Sequence, residues 1–451
     1  MRSIGVHMYS SVFRVLVFPA LELYSGTTIQ QHLTALTKSQ WWSKAQLEEL
    51  QNKKLRSLIR HAYDNVPYYH RIFSHLNITP EDIKTKNDLK KIPILTKEDI
   101  RKNLPDLTAR NIPLSRMIES HSSGSTGEPI KYYIDKNSYS AGWAQTFRCW
   151  SWAGFQLGDP YVKISLNPRT SAIKKIQDRL LQTKYVYAMG ITDTSLEQEI
   201  EKIRQFHPKI IRNYASHMYT MAKLMEKNNI QYQGATIATT GSMLYPHYRA
   251  VIEKQFNCKV FDAYGGESTA VSYECEEHTG YHVCDEDVIV EFLKGEEPVA
   301  SNELGRIVFT NLNNFAMPVI RYDIKDLGSY SDESCSCGRG LSLMKSIEGR
   351  DSDIIVTPSG NFIVVHFFGI LFGHIQGVDQ FQVIQERMDH LIVKIVKNQH
   401  FTDKDLDRIK NEIQKRIGID VTIKIEFVEE IPLSGSSGKR RYVISHIPLN
   451  I

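Results

Sequence analysis

No Gly-Lys-Ser or Gly-Lys-Thr follows Gly124 at the spacing of a P-loop, so the lysine-containing phosphate loop is excluded. The sequence also lacks an apolar run of the roughly 20 residues that a bilayer crossing takes. Its longest candidate, Val12 to Leu23, is broken by Arg14, Pro19 and Glu22. With no convincing secretory signal, a cytoplasmic protein is expected. The N-terminal stretch reads as a helix covering the main domain, or as peripheral membrane contact through residues 12–24, with Arg14 snorkelling towards headgroups. Excess charge is missing too: Lys+Arg 55 against Asp+Glu 51 leaves +4, too little to argue for nucleic acid. Cysteine is sparse, six in 451 residues, and Cys335 and Cys337 are too close for a comfortable mutual disulfide. A reduced compartment follows, with metal ligation as the alternative to pairing. No internal repeat or low-complexity tract is present.

What remains is an ordinary globular composition, 41% hydrophobic and 24% charged, too long for one core. Gln40 to Lys91 has helical periodicity in Leu47, Leu50, Leu55, Leu58 and Ile59, with Ser43 as N-cap. Thr79-Pro80-Glu81-Asp82 and Thr96-Lys97-Glu98-Asp99 place a hydroxyl before acids, as helix starts do. Tyr139 to Phe155 carries Trp143, Phe147, Trp150 and Trp152 at helical spacing and reads as core. Strand-like runs at Tyr161–Leu166, Lys209–Arg212, Thr236–Thr240 and Lys259–Phe261 alternate with helical segments at Ser195–Phe206 and Tyr219–Lys227, which implies parallel sheet with crossovers. Asp287–Leu293, Gly305–Thr310 and Val319–Tyr322 read as antiparallel strands of a smaller, barrel-like layer. The expected fold is α/β. A large N-terminal domain, residues 1–348 with its first 100 helical, has parallel-containing sheets and a barrel-like β layer, and a hinge joins it to a small α+β domain, residues 349–451.

Between strand-like segments lies His121-Ser122-Ser123-Gly124-Ser125-Thr126-Gly127-Glu128-Pro129-Ile130. Glycines there turn N–H groups inward and hydroxyls add donors, which suits a phosphate, though composition alone favours an ordinary Ser/Gly turn. Order changes the balance. Downstream come Tyr264-Gly265-Gly266-Glu267, Arg321-Tyr322-Asp323-Ile324-Lys325-Asp326, Gly349-Arg350-Asp351-Ser352-Asp353 and Ser437-Gly438-Lys439, and upstream stand Leu58 to Tyr69 and Pro93-Ile94-Leu95-Thr96-Lys97. This succession resembles the adenylate-forming superfamily over nearly the whole chain. Within it the sequence is similar to the phenylacetate–CoA ligase family and its relatives in capsular-polysaccharide biosynthesis.

The resemblance implies an AMP-forming acid–thiol ligase. ATP activates a small carboxylic acid as acyl-adenylate, and a thiol, coenzyme A, then takes the acyl group. Ser122, Ser123, Gly124, Ser125, Thr126 and Gly127 would hold phosphates; Gly241, Tyr264, Gly265, Arg321, Asp326 and Arg350 would complete the nucleotide site, Tyr264 at adenine and Asp326 on the ribose hydroxyls. Lys439, Glu267 and Thr126 form the implied catalytic set, with Glu267 approaching Mg2+. Two departures from the family pattern occur: Glu267 comes three residues after Tyr264 rather than four, and Ser352 stands where Asp or Lys is usual.

Cys275, His282, Cys335 and Cys337 supply three thiolates and an imidazole, a donor set that fits a closed zinc site. Residues alone leave buried free thiols open, with His278 and Cys284 competing for the fourth place. The resemblance favours structural Zn2+. Alternative acceptors are an amine or hydroxyl on a sugar or amino acid, and a catalytically inactive binding relative is the third reading. The acid pocket is expected between the aromatic helix, Tyr214-Ala215-Ser216-His217 and Thr240-Gly241-Ser242. Monomer and homodimer both stay open.

Overall fold

A computed structural model describes residues 12–121, 130–165, 169–187, 193–266, 269–350, 354–358, 362–373, 375–432 and 441–447. Among them, twelve strands form one sheet. Five parallel strands run in spatial order Thr183–Tyr187, Tyr161–Ser165, Ile210–Tyr214, Thr236–Thr240 and Val260–Gly266. Their short β-branched and aromatic runs, separated by helices, dictate this arrangement. The sheet then turns antiparallel through Thr269–Glu274, Tyr281–Val283, Leu343–Arg350, Tyr322–Ser331, Gly305–Asn311, Val288–Lys294 and Glu297–Pro298. The antiparallel layer expected beside the parallel one is therefore hydrogen-bonded to it edge to edge. One boundary differs from expectation: the strand read as Val319–Tyr322 begins at Tyr322 and runs to Ser331.

Local chemistry explains the helices that flank this sheet. The Ser43 hydroxyl accepts from the Gln46 N–H while the Gln46 side chain accepts from the Ser43 N–H, closing a capping box at Lys44–Asn65. Val66, held extended before Pro67, ends that helix, and Pro67 starts the next, Pro67–Leu76. Leu55, Leu58, Ile59 and Phe73 of this pair pack on Ile289, Phe309 and Tyr322 of the antiparallel strands.

On the parallel half, alternation assigns two faces. Val162, Ile211 and Ile237 meet the helices Ala215–Lys227 and Pro246–Phe256. The opposite face, with Tyr161, Ile210 and Ala238, meets Phe147 and Trp150 of the aromatic helix Lys136–Trp152, and Phe13 and Phe18 join that cluster. Phe13 and Phe18 are buried, whereas Val15, Leu16 and Leu23 are exposed. Arg14, which the membrane reading aims at headgroups, donates to Gln156 Oε1 at 3.2 Å. No helix among the described residues is long and apolar enough to cross a membrane.

A second, four-stranded sheet has the order Thr422–Phe427, His390–Lys397, Val378–Arg387, Val443–Ser445. Helix Asp403–Ile417, capped by Thr402 and Asp405, contributes Ile409, Ile413 and Ile417 to one cluster with Val383, Val393 and Ile395. That cluster is continuous with the core under the parallel strands. Helix Val365–Gly373 makes the join, and a Cβ at Gly369 would stand 2.8 Å from the Tyr245 ring, so only glycine permits this approach.

Candidate active site

Ligands of open parallel sheets bind beyond the carboxyl ends of the strands, and several residues singled out by sequence converge there. Tyr264, on the last parallel strand, donates its hydroxyl to Asp326 Oδ2 at 2.9 Å, joining motifs 62 residues apart. Asp326 in turn pairs with Arg350 across the antiparallel ladder, so three motif segments share one sheet end. Gly241 follows the strand Thr236–Thr240 at φ +70, and a Cβ there would lie 3.1 Å from the Tyr214 ring. Gly265 is exposed beside Tyr264, and Gly266 pairs with Thr269, bracketing Glu267. His121 pairs with Lys131, so paired strands flank the hydroxyl-rich segment. Ser122, Ser123, Gly124, Ser125, Thr126, Gly127, Glu267 and Lys439 themselves lie outside the described residues, and of Arg350 only the backbone is described.

Arg321 acts from within the protein. Its guanidinium is buried, donating to Glu291 through Nε at 3.1 Å and Nη2 at 3.0 Å, and to the Ile92 carbonyl at 2.7 Å. Burial pushes the Glu291 carboxyl up and Arg321 opposes that shift. Around this pair the Leu95 N–H donates to the Arg321 carbonyl at 2.8 Å and the Asp323 N–H to the Leu95 carbonyl at 3.0 Å. The Pro93–Lys97 segment is thereby zipped to the segment leading to Asp326. Arg321 at φ +52 and Lys325 at φ +67 hold a left-handed backbone unusual for side-chain-bearing residues. Arg321 therefore positions Asp326 through the chain between them.

Two of the three segments expected to enclose the acid pocket are hydrogen-bonded to each other, the Ser216 N–H donating to Ser242 Oγ at 3.2 Å. Between the aromatic helix and the sheet lies a narrow, mostly enclosed cavity with room for about one water, lined among others by Thr146, Trp150, Arg212, Thr240, Tyr273 and Glu274. Thr146 and Tyr273 share a hydrogen bond of 3.0 Å across it. Sequence reasoning did not single out Arg212 or Tyr273; the available signal was a cation within the apolar run Ile210-Ile211-Arg212.

Cys275, just past the strand Thr269–Glu274, His282 on the next strand, and Cys335 and Cys337 in a loop come together with ligand atoms all within 4.8 Å of one another. Cys337 Sγ stands 3.2 Å from His282 Nε2, and Cys275 Sγ 3.7 Å from Cys335 Sγ. Tetrahedral zinc with bonds of about 2.0–2.3 Å places its ligands about 3.3–3.8 Å apart, so these donors fit the ion. Burial, helped by Arg339, pulls His282 down to about 4, leaving the neutral imidazole that a metal takes. The two competitors are engaged elsewhere: His278 faces Glu274 at 3.4 Å, and Cys284 accepts from Arg148 at 3.5 Å.

Residues 355–446 match the family model of the CapK C-terminal domain. A phenylacetate-coenzyme A ligase of Thermus thermophilus is 25% identical over 437 residues, 89% of this chain and 97% of the relative. Protein CapK of Staphylococcus aureus is 23% identical, covering 89% of this chain and 90% of its own. In fold, 2-hydroxyisobutyryl-CoA ligase, solved in the postadenylation state with R3-HIB-AMP, superposes with a TM-score of 0.75 at 18% identity, over 90% of both chains. Over most of its length this chain is similar in sequence to phenylacetate–coenzyme A ligases, its fold is that of 2-hydroxyisobutyryl-CoA ligase, and its C-terminal segment matches the CapK C-terminal domain.

Proposed function

We propose that the chain is an AMP-forming acid–thiol ligase. The observation that carries this reading is the Tyr264–Asp326 contact at the carboxyl end of the parallel strands, made by two motif residues distant in sequence. In the first half-reaction the substrate carboxylate attacks the α-phosphorus of ATP, the bond to the β-phosphate oxygen breaks, and pyrophosphate leaves. In the second, a thiolate, that of coenzyme A, attacks the acyl carbon and AMP departs. Residues 122–127 cradle the β- and γ-phosphates, and Asp326 accepts from the ribose hydroxyls beside Tyr264. Glu267, bracketed at the same sheet end, offers the carboxylate that magnesium takes. Lys439 brings a compact positive charge to the α-phosphate. Residues 349–451 act as a small domain that swings between half-reactions about the segment after Gly349, whose φ of +93 already turns the backbone there.

Asp326→Ala is expected to raise KM for ATP by about 10- to 100-fold, the worth of hydrogen bonds to a charged group. Tyr264→Phe, which removes only the hydroxyl that orients Asp326, should cost less. Initial-rate kinetics at varied ATP check both, and an unchanged KM in Asp326→Ala would remove it from the nucleotide site.

We assign the four-residue cluster to structural zinc, which ties the antiparallel strands to the loop that carries Cys335 and Cys337. Purified protein should contain about one zinc per chain. Cys337→Ser should lose it and melt several degrees lower, because the ion binds the folded chain alone. Metal-free protein with an undiminished melting temperature would contradict this assignment.

The resemblance to relatives in capsular-polysaccharide biosynthesis suggests a second reading of the acceptor alone, an amine or hydroxyl on a sugar or amino acid. Hydroxylamine trapping of the acyl group detects activation by either enzyme. Replacing hydroxylamine with coenzyme A or with aminosugars separates the acceptors, and a chain that forms hydroxamate with no acid would overturn both.

A further inference from the structure

The contact between residues 349–451 and the rest of the chain differs in chemistry from the small unit's own core. Around its sheet the buried side chains are aliphatic: Val383, Leu391, Val393, Ile395, Ile409 and Ile413. Where the unit meets the helices beside the parallel strands, a cluster of tyrosines lies between them. Tyr219 stacks on Tyr248 with ring centroids 4.0 Å apart, and Tyr245 meets Tyr248 edge-on at 5.2 Å. From the small unit, Tyr442 meets Tyr245 edge-on at 5.4 Å, and its hydroxyl shares a hydrogen bond with that of Tyr248. Among the described residues the Tyr248 hydroxyl has no other hydrogen-bond partner. Such a surface suits a contact that is made and broken, because each ring buries apolar area while its hydroxyl returns to water on separation. Gly373 makes room for the approach one helical turn after Gly369, since a Cβ there would stand 2.7 Å from the His247 ring.

In sequence, Tyr442 stands three residues after Lys439. Strand Val378–Arg387 holds the chain on both sides of residues 433–440. The Ile431 N–H donates to Gln380 Oε1 at 3.1 Å, Gln382 Nε2 donates to the Arg441 carbonyl at 2.9 Å, and the Val383 N–H donates to the Tyr442 carbonyl at 2.8 Å. Tyr245, on which Tyr442 docks, is the N-cap of helix Pro246–Phe256 and comes only four residues after Gly241, at the carboxyl end of the parallel strands. We propose that Tyr442 is a positioning residue for adenylation. Docked on Tyr245 and Tyr248, it holds residues 349–451 in the arrangement that adenylates, with Lys439 tethered within about 11 Å of it along the chain, and it lets go when the unit swings for thiolysis. This inference rests on the ligase reading and on the role given there to Lys439.

Separate assays of the two half-reactions by the full chain test it, with the acid that supports the fastest exchange from a panel beginning with phenylacetate. Tyr442→Phe and Tyr248→Phe keep both rings and remove one hydroxyl each. An enzyme that occupies both arrangements in every turnover keeps them close in free energy, so one hydrogen bond shifts the balance. Each variant should lower kcat of ATP–pyrophosphate exchange by about 3- to 10-fold, the worth of that bond, with KM for ATP and acid unchanged. Thioester release from supplied acyl-AMP should stay at or above the wild-type rate. The double variant should lose no more than either single one, because both remove the same contact. Tyr442→Ala, which removes the ring as well, should widen the gap between the half-reactions to on the order of 100-fold. A merely structural contact would lower both half-reactions together, or the melting temperature alone. Either of those results, additive losses in the double variant, or exchange unchanged in both Phe variants overturns the positioning role and leaves the ligase reading standing. Wild-type protein that exchanges with no acid overturns the ligase reading and this inference with it.

Discussion

Lys439→Ala is expected to slow acid-dependent ATP–pyrophosphate exchange by about 100- to 1,000-fold, the effect of deleting one preorganised charge that stabilises a developing anion. Thioester formation from supplied acyl-AMP should stay close to wild type. The asymmetry follows from the chemistry of the two steps. Adenylation builds negative charge at the α-phosphate while pyrophosphate departs, and an ammonium on a flexible stem meets that charge directly. Thiolysis breaks a bond to an AMP leaving group already formed, and a domain that has swung away no longer presents Lys439. Each half-reaction is measured separately, exchange with labelled pyrophosphate and thioester release from synthetic acyl-AMP. Equal losses in both would make Lys439 a structural residue. Loss in neither would leave Arg440 and Arg441 beside it as an ordinary basic tail.

Glu286→Ala is expected to destabilise the fold by about 3–5 kcal/mol, the cost of stranding a buried charge. Arg148, on the aromatic helix, is fully buried and donates to Glu286 Oε1 at 3.1 Å, and Ser39 donates to the same oxygen at 2.7 Å. Arg148 also lies over the Trp152 ring at 5.2 Å. One carboxylate thus binds the helix Ile29–Ser39, the aromatic helix and the turn at 284–287. Removing it leaves the guanidinium enclosed beside the weakly accepting sulfurs of Cys149 and Cys284. Arg148→Met with Glu286→Leu, which removes both charges and keeps volume, should recover much of the loss. Urea unfolding of both variants checks the pair. A single variant as stable as wild type would show the site to be hydrated.

The contrast between these two residues shows what was legible in the chain. Lys439 belongs to a local pattern, Ser437-Gly438-Lys439, and the role proposed for it rests on that pattern alone. Capping boxes at Ser43 and Thr96 were legible for the same reason, since both partners lie within one helical turn. Parallel strands such as Thr236–Thr240 stood out because short apolar runs recur between helices. Arg148 gave no such signal, because its partner is 138 residues away and only packing brings them together. The register that joins Val260–Gly266 to Thr269–Glu274, and so fuses the antiparallel strands to the parallel ones, is likewise a pairing choice that strand patterns do not encode. Arg321 was expected to complete the nucleotide site; that its guanidinium is instead turned inward onto Glu291 needed coordinates. Cys275, His282, Cys335 and Cys337 were picked out together in the sequence; that the competitors His278 and Cys284 are drawn off by Glu274 and Arg148 needed coordinates.

Product analysis with the full chain, ATP, magnesium and a panel of mono- and dicarboxylic acids bears most directly on carboxylate activation by adenylate formation. AMP and pyrophosphate appearing in equal amounts, strictly dependent on one of the acids, is the predicted result. ADP and phosphate, or nucleotide left intact with every acid, would contradict it.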